Sequence, residues 1–145
     1  MILYLDSSAL VKRYIAERGS HDVGQWIQEA EAIGVSILAR VEVTAAITRA
    51  TRMNVLSAGE SQRAIDVFRS EWENIQRLPV GEQTVIRADY LACAHGLRGY
   101  DAVHMACALL WQEILGLPIT FATYDSQLWQ AANVAGLKAL PGSLN

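Results

Sequence analysis

The chain has 145 residues, 12 Lys and Arg against 15 Asp and Glu, a net charge of −3 and 52% hydrophobic content. That length suits one domain, residues 1–145, burying roughly 70% of its unfolded surface. The balance excludes a disordered chain and a strongly basic nucleic-acid coat, though not a nuclease. The longest apolar run, Ala102 to Trp111, contains His104 and is followed by Gln112-Glu113, which is too short and interrupted to cross a membrane. No basic segment precedes the first apolar residues and Asp6 cuts them short, so no signal peptide is expected. Cys93 and Cys107 lack metal-ligand spacing and are expected as buried free thiols in a reducing cytoplasm.

In chain order, Ile2–Leu5 predicts a strand and Ser7 to about Glu17 a helix. After Gly19, Ser20 has N-cap chemistry for a second helix reaching about Ile33, with Val23, Trp26, Ile27 and Ala30 inward. Gly34–Ile37 reads as a short strand, and Leu38 to Met53 as a helix that Asn54 stops. Ser57 and Glu60 have capping-box spacing and open a helix to about Glu73. Its stripe of Ala64, Val67, Phe68 and Trp72 reads as core or subunit interface. Ile75–Val80 is a third strand, Glu82–His95 a helix, and Gly96–Gly99 a turn before the helix that Asp101 opens. Pro118–Ala122 and Leu137–Leu140 complete the strands, with a helix after Asp125 between them. This alternation predicts an α/β fold of three α/β/α layers around a central, mostly parallel sheet.

Four acids stand at separate turns of that pattern. Asp6 closes the first strand, Asp101 opens its helix, and Asp125 follows the fourth strand. Singly, each is explained as an N-cap or a first-turn acid complementing the helix dipole. Glu42 reads as mid-helix, where pairing with Arg49 or another nearby cation is the ordinary explanation. Jointly, turns at the carboxyl edge of a parallel sheet are where ligand sites form, and carboxylates gathered there repel unless a cation joins them. The set therefore points to a divalent-metal site. Hard oxygen donors suit Mg²⁺ or Mn²⁺, which acidify water and neutralise charge on phosphate, so no nucleophilic side chain is needed. Lys12, Arg13, Arg49, Arg52 and Arg98 are the cations available to phosphate, each equally explained as a solvated helix position.

Other chemistries lack their motifs. His21, His95 and His104 form no HExxH, Ser7 and Ser8 no GxSxG elbow, and no Gly-rich phosphate loop occurs. His104, three residues after Asp101, reads as a hydrogen-bonded helix histidine more readily than as a ligand. A Mg²⁺-dependent phosphatase is weakened because Ser7-Ser8 follow Asp6 and no second Asp stands two residues on.

The opening Met1–Lys12, MILYLDSSALVK, resembles that of a PIN-domain protein, specifically a VapC-type toxin of a toxin–antitoxin pair. The acid within Leu38–Val43 is similar to the second motif of that family, Leu97–Ala106 to the third, and Phe121–Leu128 to the fourth. The resemblance spans essentially the whole chain. It implies a Mg²⁺- or Mn²⁺-dependent endoribonuclease, a homodimer in the cytoplasm, neutralised by a small VapB-like antitoxin whose tail covers the site. It also implies Asp6, Glu42, Asp101 and Asp125 as the acidic site, Asp6 and Asp101 as principal metal ligands, and Thr123 as a supporting hydroxyl. Some members carry a further acid just after the fourth; Ser126 and Gln127 stand there instead, which leaves one or two metals open. The alternative from another class is a catalytically weak or inert PIN-like binding module that acts through its dimer and partner surface.

Overall fold

The computed structural model describes residues 1–144. Strands β1 (Ile2–Leu5), β2 (Ala32–Ser36), β3 (Gln76–Leu78), β4 (Ile119–Ala122) and β5 (Lys138–Leu140) form one sheet in the order β3-β2-β1-β4-β5. Every neighbouring pair is parallel, so the sheet is wholly and not mostly parallel. The two-residue period of β1 divides the core. Leu3 and Leu5 face α1 (Ser7–Leu10), α2 (Ser20–Glu29), α3 (Ala39–Arg52) and α4 (Ala58–Glu71). Tyr4, with Ile119 and Phe121 of β4, faces α5 (Glu82–His95), α6 (Gly99–Leu115) and α7 (Ser126–Val134). These are the three expected layers, with helices on both faces of a parallel sheet.

Close packing places α6. A Cβ added to Gly34 of β2 would lie 2.5 Å from the Trp111 ring, so only glycine lets that indole rest on the strand. The α4 start matches its sequence signature: Glu60 N–H donates to Ser57 Oγ at 3.1 Å, and Ser57 N–H to Glu60 Oε1 at 3.0 Å. Of its stripe, Ala64, Phe68 and Trp72 are buried, whereas Val67 is exposed.

Several expectations fail for tertiary reasons. The first helix gives way after Leu10 to a single 3-10 turn, Val11–Arg13, and never reaches Glu17. Lys12 Nζ instead binds the Arg18 carbonyl at 2.8 Å and Glu17 Oε1 at 3.0 Å, folding that segment into a loop. Gly19, not Ser20, caps α2, with φ +92° and a would-be Cβ 2.5 Å from the Tyr124 hydroxyl. Ser20 Oγ accepts from Glu17 N–H and donates to the Ile15 carbonyl, closing the same loop. The second helix stops at Glu29 because Ala32 and Ile33 pair with Ile2 and Leu3 of β1. Cys107 is buried as expected, but Cys93 is exposed on α5. Among the described residues, no helix is long and apolar enough to cross a membrane.

Candidate active site

β1 lies between β2 and β4, so the chain leaves it toward opposite sides of the sheet: β2 and β3 on one, β4 and β5 on the other. That reversal opens a crevice beyond the strand ends. The ladder continues one residue past β1, with Asp6 N–H donating to the Ala122 carbonyl at 3.1 Å, which holds Asp6 beside the end of β4. Thr123 and Asp125 follow β4 directly. Glu42 and Asp101 lie in the first turns of α3 and α6. Glu42 is thus a first-turn acid, not the mid-helix residue its sequence context suggests. All four acids stand at helix starts, where the backbone dipoles favour negative charge.

Asp6 is only 3% exposed. Its Oδ1 caps α1 by accepting from Ala9 N–H at 2.9 Å and also accepts from Ser8 Oγ at 2.7 Å; Oδ2 accepts from Thr123 Oγ1 at 2.6 Å. Burial pushes its pKa up, while the charge of His104 and the Thr123, Ser8 and Ala9 hydrogen bonds pull the other way. The two hydroxyls also tie Asp6 to the fourth turn. Ser8 Oγ accepts from Tyr124 N–H at 2.9 Å, and Thr123 Oγ1 from Asp125 N–H at 3.1 Å. Thr123, expected beside the site, is fully buried there.

Asp125 caps α7, its Oδ1 accepting from Leu128 N–H at 2.8 Å. Its Oδ2 accepts from Arg98 Nη2 at 2.8 Å, and the same guanidinium reaches Asp101 Oδ2 through Nε at 3.1 Å. The Asp101 hydrogen bond and charge, with the charge of Asp125, raise the Arg98 pKa further. Arg98 is 75% exposed, so this clamp sits in water at the rim.

The remaining acid meets a histidine. Glu42 Oε1 lies 2.9 Å from His104 Nε2, and His104 Nδ1 lies 2.8 Å from the Tyr4 hydroxyl. Arg49 is not its partner. His104 is 2% exposed. Burial alone would lower its pKa, but the Glu42 hydrogen bond and the charges of Asp6, Glu42 and Asp101 together raise it. Tyr4 is fully buried, which holds its phenol well above the usual range and therefore neutral.

Thr123 and Arg98 therefore link Asp6, Asp125 and Asp101, while Glu42 is held on His104, and each acid is already engaged. Among the described residues, no three His, Cys, Asp or Glu side chains are grouped to hold an ion. The donors are nonetheless hard oxygens, as Mg²⁺ or Mn²⁺ require, and Arg98 supplies positive charge where two of them face water. In donor chemistry the residues fit such a cation. Sequence reading overlooked Tyr4 and Ser8 and set His104 aside. The available signals were the polar tip inside the apolar run Ile2–Leu5, a hydroxyl two residues after a capping Asp, and the three-residue step from Asp101 to His104.

The fold agrees with known proteins. The PIN domain family matches residues 3–134. Two Mycobacterium tuberculosis proteins, Ribonuclease VapC45 and Ribonuclease VapC49, are each 33% identical over 145 residues, covering 99% of this chain and 98% of their own. A toxin–antitoxin complex from Klebsiella pneumoniae contains a chain with the same fold, at TM-score 0.63 and 14% identity, with 99% of each chain covered. The chain belongs to the PIN-domain family, in its VapC-type branch.

Proposed function

We propose that this protein is a Mg²⁺- or Mn²⁺-dependent endoribonuclease, the toxin of a toxin–antitoxin pair. The observation that supports this reading is the chain's likeness over its whole length to proteins named ribonucleases, with Asp6, Glu42, Asp101 and Asp125 each at the start of a helix. Asp6 and Asp101 would hold the cation, which when bound supplies an acidified water and charge neutralisation at phosphate. Thr123 and Ser8 keep the Asp6 carboxylate in one orientation, so little reorganisation is needed there. Glu42 uses Oε1 on His104, leaving Oε2 to orient the attacking water and take its proton. Arg98, exposed beside Asp101 and Asp125, would be available to pair with a substrate phosphate. A polar groove of about 570 Å³, lined by Lys12, Arg18, Tyr124 and Ser126, adjoins Asp125 and suits an RNA backbone.

The same reading includes partners. Exposed Val41, Val55 and Val67 offer apolar anchors to an antitoxin tail, and the acids offer its basic residues a bidentate target. The groove between α5 and α6, lined by exposed Val85 and Tyr100, suits a second copy. A non-cutting binding module is favoured by one observation, that Arg98 already neutralises two of the acids.

RNA cleavage with and without added Mn²⁺ separates the two. Cleavage should vanish in excess chelator and fall roughly 100-fold or more in folded Asp101→Asn, which keeps the shape but loses the charge. Full cleavage by either would rule out the proposed site, and no cleavage by the wild type in Mn²⁺ would favour the binding module.

A further inference from the structure

The chain Tyr4–His104–Glu42 runs from the central strand, through α6, to α3 at the rim. Tyr4 is 0% and His104 2% exposed, so neither can touch RNA. Three polar groups joined under a sheet cost stability unless all are satisfied, and here each finds a partner at 2.8 or 2.9 Å. With the imidazole neutral and Glu42 ionised, their chemistry allows one arrangement. The phenol must give its proton to an acceptor, and Nδ1 is 2.8 Å away. A bare Nε2 would face the Glu42 carboxylate at 2.9 Å, acceptor against acceptor, so Nε2 must carry the hydrogen. Ser7 Oγ, at 3.4 Å, is the only other group beside Nε2 among the described residues.

We propose that Tyr4 and His104 are positioning residues for Glu42: the Tyr4 hydroxyl fixes the Nε2–H tautomer of His104, which pins Glu42 Oε1 and leaves Oε2 for the reaction. The proposal rests on the nuclease reading for its kinetic consequence, but its tautomer stands without it. An outer partner that fixes a histidine in this way preserves the orientation of the group it serves, and its loss typically reduces activity.

Tyr4→Phe tests this, because it removes one hydroxyl and keeps the ring stacked on Phe121, 5.2 Å between centroids. Two readouts are taken. The first is the ¹⁵N NMR signature of His104, above the pH range where imidazole titrates. The wild type should show hydrogen on Nε2 and none on Nδ1, and Tyr4→Phe a mixture of tautomers; hydrogen on Nδ1 in the wild type overturns the proposal. The second is RNA cleavage by the Mn²⁺-loaded protein. Tyr4→Phe should lower kcat roughly tenfold with KM unchanged, and should cost nothing further in a Glu42→Gln background. The same fold loss in both backgrounds would mean that Tyr4 acts on stability alone, and the proposal fails. If the wild type cuts no RNA, the nuclease reading falls and the tautomer decides the relay by itself.

Discussion

Asp6 and Asp125 stand either side of Thr123 and are held in opposite ways. Asp6 is buried and receives three short hydrogen bonds from neutral donors, two of them hydroxyls that also grip the fourth turn. Asp125 shares an exposed arginine with Asp101. A carboxylate locked by neutral donors in a buried place keeps its orientation. One paired with a flexible cation in water can exchange that cation at little cost, because exposed ion pairs contribute little. A fixed half and an exchangeable half thus divide the three linked acids, a division the proposed function would use.

The sharpest way to break this contrast is to loosen the fixed half. Thr123→Val removes the hydroxyl that donates to Asp6 and accepts from Asp125 N–H, and it leaves a buried carboxylate oxygen without its donor. Unfolding in denaturant should show a loss of about 2 kcal/mol. A loss within error would mean that Asp6 is held by the cap alone.

A smaller effect follows from the charge on Asp6. Burial raises its pKa above the unfolded value of about 3.9. The fold therefore favours the protonated carboxyl, whose stabilising contribution is complete below that unfolded value and is lost as pH rises through the folded pKa. Metal-free wild type should lose stability across that window relative to Asp6→Asn, which has no such titration. The difference should widen as pH rises through the folded pKa. Added Mn²⁺ should reverse it by stabilising the wild type more than the variant. Parallel pH profiles for the two proteins would contradict the burial argument.

The exchangeable half should give the least change in folding. Arg98→Gln removes an exposed clamp, so its unfolding transition should coincide with that of the wild type. Calorimetric titration should show tighter Mn²⁺ binding, since no internal cation then competes for Asp101 and Asp125. Unchanged Mn²⁺ affinity would show that the clamp does not oppose the metal.

Local chemistry made much of this molecule legible. The Ser57–Glu60 pair announces the start of α4, and the alternation of apolar strands with helical stretches announces a parallel sheet covered on both faces. Asp6 and Asp125 are recognisable because a cap must stand where a strand or turn ends and a helix begins, and Asp101 because a first-turn acid complements the helix dipole. Where contacts came from distant segments, the local signal misled. The first helix stops early because Lys12 turns back to Arg18, and the second because Ile33 pairs with Leu3. Glu42 suggested an ion pair along its own helix, but its partner is 62 residues away.

By itself, the sequence determined which residue types were present and in what order: four acids at four turns, threonine two residues before the last, and strands apolar enough to be buried on both sides. These follow from local propensity and period, which depend on neighbours within a turn or two. Only the tertiary structure decided how those acids differ. It seals Asp6 beneath two hydroxyls from turns over 100 residues apart in sequence, leaves Asp101 and Asp125 under an arginine in water, and sets Glu42 on a buried histidine. Burial and hydrogen bonding are properties of what packs against a group, and the parallel pairing of β1 with β4 brings the first and fourth turns together.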